Sequence, residues 1–147
     1  MLIREVVPED VSSVLDLIKG LAEYEKDLAA VMNTDEKLHD DLFVHKYCEA
    51  FVAEVDNLVI GFALYFTSYS TWKGPCVYLE DLYVIPEHRS KGAGSKLFDR
   101  VVQVAKQRGV ARMDWQILDW NQSAIDFYKR KNATIDEDWF NGRLFFD

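Results

Sequence analysis

Apolar residues recur along this chain with two different periods, and the switches between them mark its elements. Residues 2–7 read as a strand, after which Pro8-Glu9-Asp10 gives a helix start with acidic groups near the positive end of the dipole. Val11, Val14, Leu15, Ile18, Leu21 and Ala22 follow at the spacing of one helix face, which predicts a helix to about Tyr24. Thr34 is suited to cap a second, shorter helix that buries Leu38, Leu42 and Phe43. Residues 49–55 and 58–66 read as strands joined at Asp56-Asn57, a two-residue turn whose residues tolerate positive φ. Residues 68–75 read as a polar loop, and 76–85 as the third strand of an antiparallel meander, ended by Pro86.

A long amphipathic helix is then predicted over 92–108, with Leu97, Phe98, Val101, Val102, Val104 and Ala105 inward and Gly109 as its stop. Residues 112–118 read as a strand, which must lie parallel to the 76–85 strand because the helix carries the chain back across the sheet. A short helix over 123–131 and a last strand over 143–146 complete a mixed α/β fold with a largely antiparallel sheet.

The 147 residues, 49% hydrophobic and 14% aromatic, suit one globular domain spanning 1–147, without repeat or linker. No apolar run is long enough to span a membrane, and Arg4 and Glu5 interrupt what a signal peptide would need as its apolar region, so a cytoplasmic protein is expected. Cys48 and Cys76 lack metal-ligand or redox spacing and are expected to be free thiols, and His39, His45 and His88 suggest no zinc site. A formal net charge of -8 argues against nucleic acid as a partner and suits a cationic small molecule, although solubility alone also accounts for it.

The organising stretch is 78–95. Gly92 and Gly94 sit where a strand and short loop open into a helix, and the first N–H groups of a helix favour anions through unpaired donors and the dipole together. Arg89 and Lys91 add positive charge, which points to a phosphate or pyrophosphate. A Walker A loop would require Gly-Lys-Ser/Thr, but Gly94 is followed by Ser95-Lys96. A dinucleotide fingerprint would require a third glycine where Leu97 stands. Arg-x-x-Gly-x-Gly after a strand fits Arg89 to Gly94.

With that loop, the segments 17–25, 61–66, 78–84 and 120–130 resemble, in order, the GNAT superfamily of N-acetyltransferases, in particular its diamine (spermidine/spermine and thialysine) branch. The resemblance implies a sheet with a splayed parallel strand pair that holds acetyl-CoA, and helices on both faces. It implies that Leu82, Tyr83 and Val84 hold the pantetheine arm by main-chain bonds, and that Arg89, Ser90, Lys91, Gly92, Ala93, Gly94 and Ser95 hold the pyrophosphate. Asn121, Ser123, Ala124 and Lys131 are implied at the other wall of the cofactor site, and a homodimer is implied as the assembly. Two departures stand out: Ser90-Lys91 replaces the branch's usual Gly-Phe, and Lys131-Asn132 stands where a glycine commonly ends the helix, a place Asn can fill in the left-handed conformation.

Acetyl transfer to an amine needs a fixed thioester, a neutral amine and a proton for the leaving thiolate. Tyr128 is implied as the general acid, a phenol that stays protonated at neutral pH, against the plain reading of a packing aromatic. Glu80 and Asp81 are neighbours in a strand, so alternation predicts opposite faces and only one in the acceptor channel. The resemblance implies Glu80, which would hold the ammonium and accept its proton; a surface ion pair is the alternative, and Asp81 serves equally as a structural hydrogen-bonding group. Tyr24, Glu25 and Trp139 resemble acceptor-channel residues but read as well as a solvated helix end and a core tryptophan. The function expected is acetyl transfer to a primary amine of a small diamine, polyamine or lysine-like amino acid, with protein acetylation or a non-catalytic coenzyme A-binding or polyamine-binding module as the alternatives.

Overall fold

The computed structural model describes residues 1–146, which form two compact units, Met1–Gln116 and the segment from Ile117 onward. The first unit is a five-stranded sheet in sequence order, β1 (Leu2–Glu5), β2 (Glu49–Val55), β3 (Leu58–Ser70), β4 (Gly74–Val84) and β5 (Met113–Asp114). Its first four strands pair antiparallel and β4–β5 is parallel, joined through α3 (Ala93–Arg108). Helices α1 (Val11–Tyr24) and α2 (Asp35–Phe43) connect β1 to β2.

One face of the sheet packs on α1 and α2. Val14, Leu15, Leu17, Leu38 and Leu42 from the helices close over Val52, Phe62, Leu64 and Tyr83. Gly20 lets Tyr83 approach α1: a Cβ at that position would stand 3.0 Å from the Tyr83 hydroxyl. The opposite face packs on α3, where Leu97, Phe98, Val101 and Ala105 are buried and a Cβ at Gly61 would meet both Val84 and Leu97. Arg100 and Arg108 of α3 lie over the Phe51 and Tyr65 rings, 4.5 and 5.9 Å from their centroids.

Local chemistry explains the turns. Asp56 and Asn57 both have positive φ, 50° and 64°, as the predicted hairpin requires. Thr34 Oγ1 accepts the Lys37 N–H at 3.2 Å to cap α2. The Pro8–Asp10 turn is fixed by a carboxylate: Asp10 Oδ2 accepts the Val7 N–H at 2.9 Å and pairs with Arg4 at 2.7 Å.

Three expectations change. Residues 68–75 are not simply a loop, because pairing continues through Ser68↔Cys76, Tyr69↔Pro75 and Ser70↔Gly74. The Ser70 hydroxyl accepts the N–H groups of Trp72 and Lys73, so the turn shrinks to the residues between the strands. The predicted strand over 112–118 shortens to β5, whose pairing with β4 ends at Tyr78↔Asp114, while Trp115 packs edge-on against Phe98 of α3. No strand forms at 143–146, since four residues without a ladder partner leave their backbone groups to water.

The second unit contains α4 (Gln122–Arg130). Asn121 caps it through the Ala124 N–H at 3.2 Å, and Asn132, with φ 64°, closes its other end as predicted: the Asn132 N–H reaches the Lys129 carbonyl and Ala133 N–H the Tyr128 carbonyl. Leu144, Phe145 and Phe146 are exposed. Cys76 is a buried free thiol and Cys48 a partly buried one, and no helix among the described residues is long and apolar enough to cross a membrane.

Candidate active site

Strand β4 leaves the sheet at Val84, and a short turn at Pro86–His88 leads to the glycine loop. Two residues of that loop are left-handed, Ser90 with φ 64° and Gly92 with φ 87°. Gly92 is the N-cap of α3 and brings no side chain to its first turn; a Cβ there would meet nothing within 4 Å. The helix therefore opens toward free space with a backbone-lined, dipole-positive end beside Lys91. Arg89 turns away from this end. Its Nε donates to the Val84 carbonyl at 2.9 Å, and its guanidinium lies 5.2 Å from the Tyr24 ring centroid and 5.4 Å from that of Tyr83. It thereby ties the carboxyl end of α1 to the strand that precedes the loop.

Helix α1 ends in a left-handed residue, Lys26 with φ 66°, whose N–H reaches the Glu23 carbonyl while Asp27 N–H reaches that of Ala22. This closure is usually built on glycine, and it sets Tyr24 and Glu25 at the last turn. The β4 side is less regular. Tyr65 faces α3, since Arg108 covers its ring, and Leu79 is paired across from it on the same face. Asp81, two residues on, is paired with Leu64 and lies on the α1 face with Tyr83. Residues two apart share a face in a regular strand; a bulge at Glu80 absorbs the difference. The extra residue breaks the regular alternation expected for Glu80 and Asp81: it leaves Asp81 on the α1 face, with Glu80 close enough for its charge to act on both Asp81 and Glu25.

There they meet Glu25. Burial, then the charges of Glu80 and Glu25, push the Asp81 carboxyl up to about 7. Burial and the Glu80 charge also raise Glu25. Among the described residues no cation is paired with any of the three carboxylates.

The remaining site residues read from the sequence belong to the second unit. Tyr128 is buried in α4, with its ring edge-on to Phe127 at 5.0 Å. Ser123 and Ala124 lie in the first turn of α4, Asn121 is its cap, and the Lys131 ammonium lies 5.9 Å from the Phe127 centroid. Trp139 is exposed rather than a core residue, its indole N–H donating to Asp136 at 3.1 Å. Gly20 and the carboxylate of Asp81 are the features that sequence reasoning underweighted. A signal for the second existed, since Leu79 and Leu82 are three residues apart where a regular strand would space its apolar positions by two.

The sheet with one parallel pair, helices on both faces and a glycine loop at a helix start define the acetyltransferase fold expected from the loop. An aminoglycoside acetyltransferase from an uncultured soil metagenomic sample superposes with a TM-score of 0.82 over 99% of this chain and 96% of its own, at 20% identity, a likeness of fold. The family model described as "Acetyltransferase (GNAT) family" matches residues 17–132, and the chain belongs to that family. It is similar to thialysine N-epsilon-acetyltransferases: that of Bos taurus is 41% identical over 90% of this chain and 84% of the relative. That of Caenorhabditis elegans is 35% identical over 95% and 88%. The protein is an N-acetyltransferase, of a family that uses acetyl-CoA as acyl donor.

Proposed function

We propose that this enzyme acetylates the primary amine of a small diamine, polyamine or lysine-like amino acid, thialysine included, by direct transfer from acetyl-CoA in a ternary complex. The observation that carries this reading is the group of three carboxylates, Glu25, Glu80 and Asp81, which act on one another and have no cation paired with them among the described residues. A cationic amine supplies the missing charge. The names of the thialysine acetyltransferase relatives agree with it.

The open, uncapped start of α3 fits a pyrophosphate, with Ser90, Lys91, Gly92, Ala93, Gly94 and Ser95 around it. The backbone of Leu82, Tyr83 and Val84 would hold the pantetheine arm, along the part of β4 that runs beyond its pairing with β5. Bound there, acetyl-CoA supplies an activated acyl group. Arg89 serves this site by fixing Tyr24 and Tyr83. Asn121, Ser123, Ala124 and Lys131 are proposed on the cofactor side, Trp139 on the acceptor side, and Tyr128 as the proton donor to the departing sulfur, the whole chain acting as one catalytic domain. Glu80 and Glu25 hold the ammonium groups. A cytoplasmic homodimer is the proposed setting.

The test is coenzyme A release with acetyl-CoA and a panel of thialysine, spermidine, spermine, putrescine, lysine and a lysine-bearing peptide. Turnover of a small amine well above the peptide is the expected result. Turnover of the peptide alone would move the acceptor to proteins, and no turnover would leave a binding module.

A further inference from the structure

We propose that the stacked rings of Phe66 and Tyr78 form an apolar shelf for the carbon chain of the acceptor amine, and that these two residues select acceptors by chain length. This assignment rests on the acetyltransferase reading above, and it makes the preferred acceptor an amine with an aliphatic chain of several carbons.

The register sets the shelf beside the carboxylates. The bulge lies on β4, so β3 itself alternates regularly, and Phe62, Leu64 and Phe66 share the face that packs on α1. Opposite them on β4 stand Tyr83, Asp81 and Tyr78. Helix α1 covers the first of these steps only. Tyr83 lies against Gly20, and α1 ends at Tyr24, about 6 Å further along its axis. Two strand residues span about 7 Å, and the charge of Glu25, just past the helix end, acts on Asp81, so the helix stops near Asp81. Strand β2 also stops short, its pairing with β3 reaching no further than Glu49↔Tyr65. Phe66 and Tyr78 accordingly stand outside the cluster that α1 and α2 close. Both are partly exposed, with ring centroids 5.2 Å apart and planes inclined by 30°.

An anionic and an aromatic surface therefore adjoin. Glu80, in the bulge between them, is near enough for its charge to act on Tyr78 as well as on Asp81 and Glu25. A partly exposed aromatic pair beside carboxylates suits an ammonium carried on a carbon chain. The charge goes to the carboxylates and the methylenes lie on the rings, whose negative faces also attract a cation. Charge complementarity selects this occupant over an apolar segment of a second copy, which would cover the neighbouring carboxylates without neutralising them. A thioether within the chain, as in thialysine, is accommodated equally well, since sulfur packs favourably on aromatic rings.

The experiment measures kcat/KM for the α,ω-diamines of three, four and five carbons with the wild type, Phe66→Ala, Tyr78→Ala and Tyr78→Phe. Calorimetry of the same diamines with coenzyme A present, and sedimentation of each protein, accompany it. In the wild type each added methylene should raise kcat/KM and affinity about two-fold, the gain from covering one side of a CH₂. Either alanine variant should flatten the series, raising KM for the longest diamine about three- to five-fold while kcat and the KM for acetyl-CoA change little. Tyr78→Phe should keep the series. A flat wild-type series would overturn the proposal without any variant, as would a uniform loss across the three diamines or a series equally steep in both alanine variants. Alanine variants that pass from dimer to monomer with the series intact would assign the rings to a second copy and overturn it too. If the wild type acetylates no amine, the functional reading fails by itself, and the calorimetric series still decides whether the rings read chain length.

Discussion

Helix α1 has carboxylates at both ends, and they are treated in opposite ways. At its amino end Asp10 is almost fully buried, yet Arg4 grips both its oxygens at 2.7 and 3.0 Å and the Val7 N–H donates to it. Arg4 also reaches Glu54 at 3.2 Å. These bonds hold the Asp10 carboxyl below the usual range, and the positive end of the helix dipole acts in the same sense. At the carboxyl end the dipole is unfavourable to anions, no cation among the described residues is paired with the carboxylates, and Glu25 and Asp81 are both raised. The same side-chain chemistry is therefore a fastener at one end and an open valence at the other. Where a fold gathers carboxylates without a cation, the natural occupant of the place is one brought from outside.

The comparison can be broken most severely at the amino end. Asp10→Asn removes the charge that Arg4 is built around and is expected to cost about 3 kcal/mol at pH 7, read from urea unfolding. Because the folded Asp10 carboxyl is held below its unfolded value, this contribution is present above the unfolded value and fades as pH falls through the folded one. Asp81→Asn should act with the opposite sign. Its carboxyl is raised from 3.8 to about 7, so the wild type has its full benefit from the neutral form below pH 3.8 and loses it as pH rises through 7. At pH 8 the variant is expected to be more stable than the wild type by about 1–2 kcal/mol, with no gain at pH 4. A smaller change sharpens the picture of the loop. Ser90 holds a left-handed conformation that favours glycine, so Ser90→Gly should gain about 0.5–1 kcal/mol, a rise of roughly 2 °C in Tm.

What the sequence makes legible follows from how local the cause is. The turn at Asp56-Asn57, the Thr34 cap and the left-handed Asn132 are decided by residues within a few positions of each other, and all three form as read. Helical periodicity likewise places the inner faces of α1 and α3. Causes that depend on a partner strand are harder to see. Residues 143–146 have strand composition but no ladder, and 68–75 have loop composition but pair, because Ser70 can close a tighter turn. The site shows the same division. The glycine loop is local and readable, whereas the placing of Asp81 depends on the register against Leu64 and Tyr65, which strand alternation alone puts on the wrong face.

The central claim is that Glu25, Glu80 and Asp81 form an uncompensated site completed by a cationic amine. The most direct measurement is calorimetry of spermidine and of thialysine binding to the protein with coenzyme A present, at pH 7, in two buffers of different ionisation enthalpy. An ammonium docked beside the Asp81 carboxyl, raised to about 7, should drive out on the order of half a proton per site, and Asp81→Asn should remove most of that release. Amine binding that releases no proton, with the same affinity in Asp81→Asn, would contradict the account.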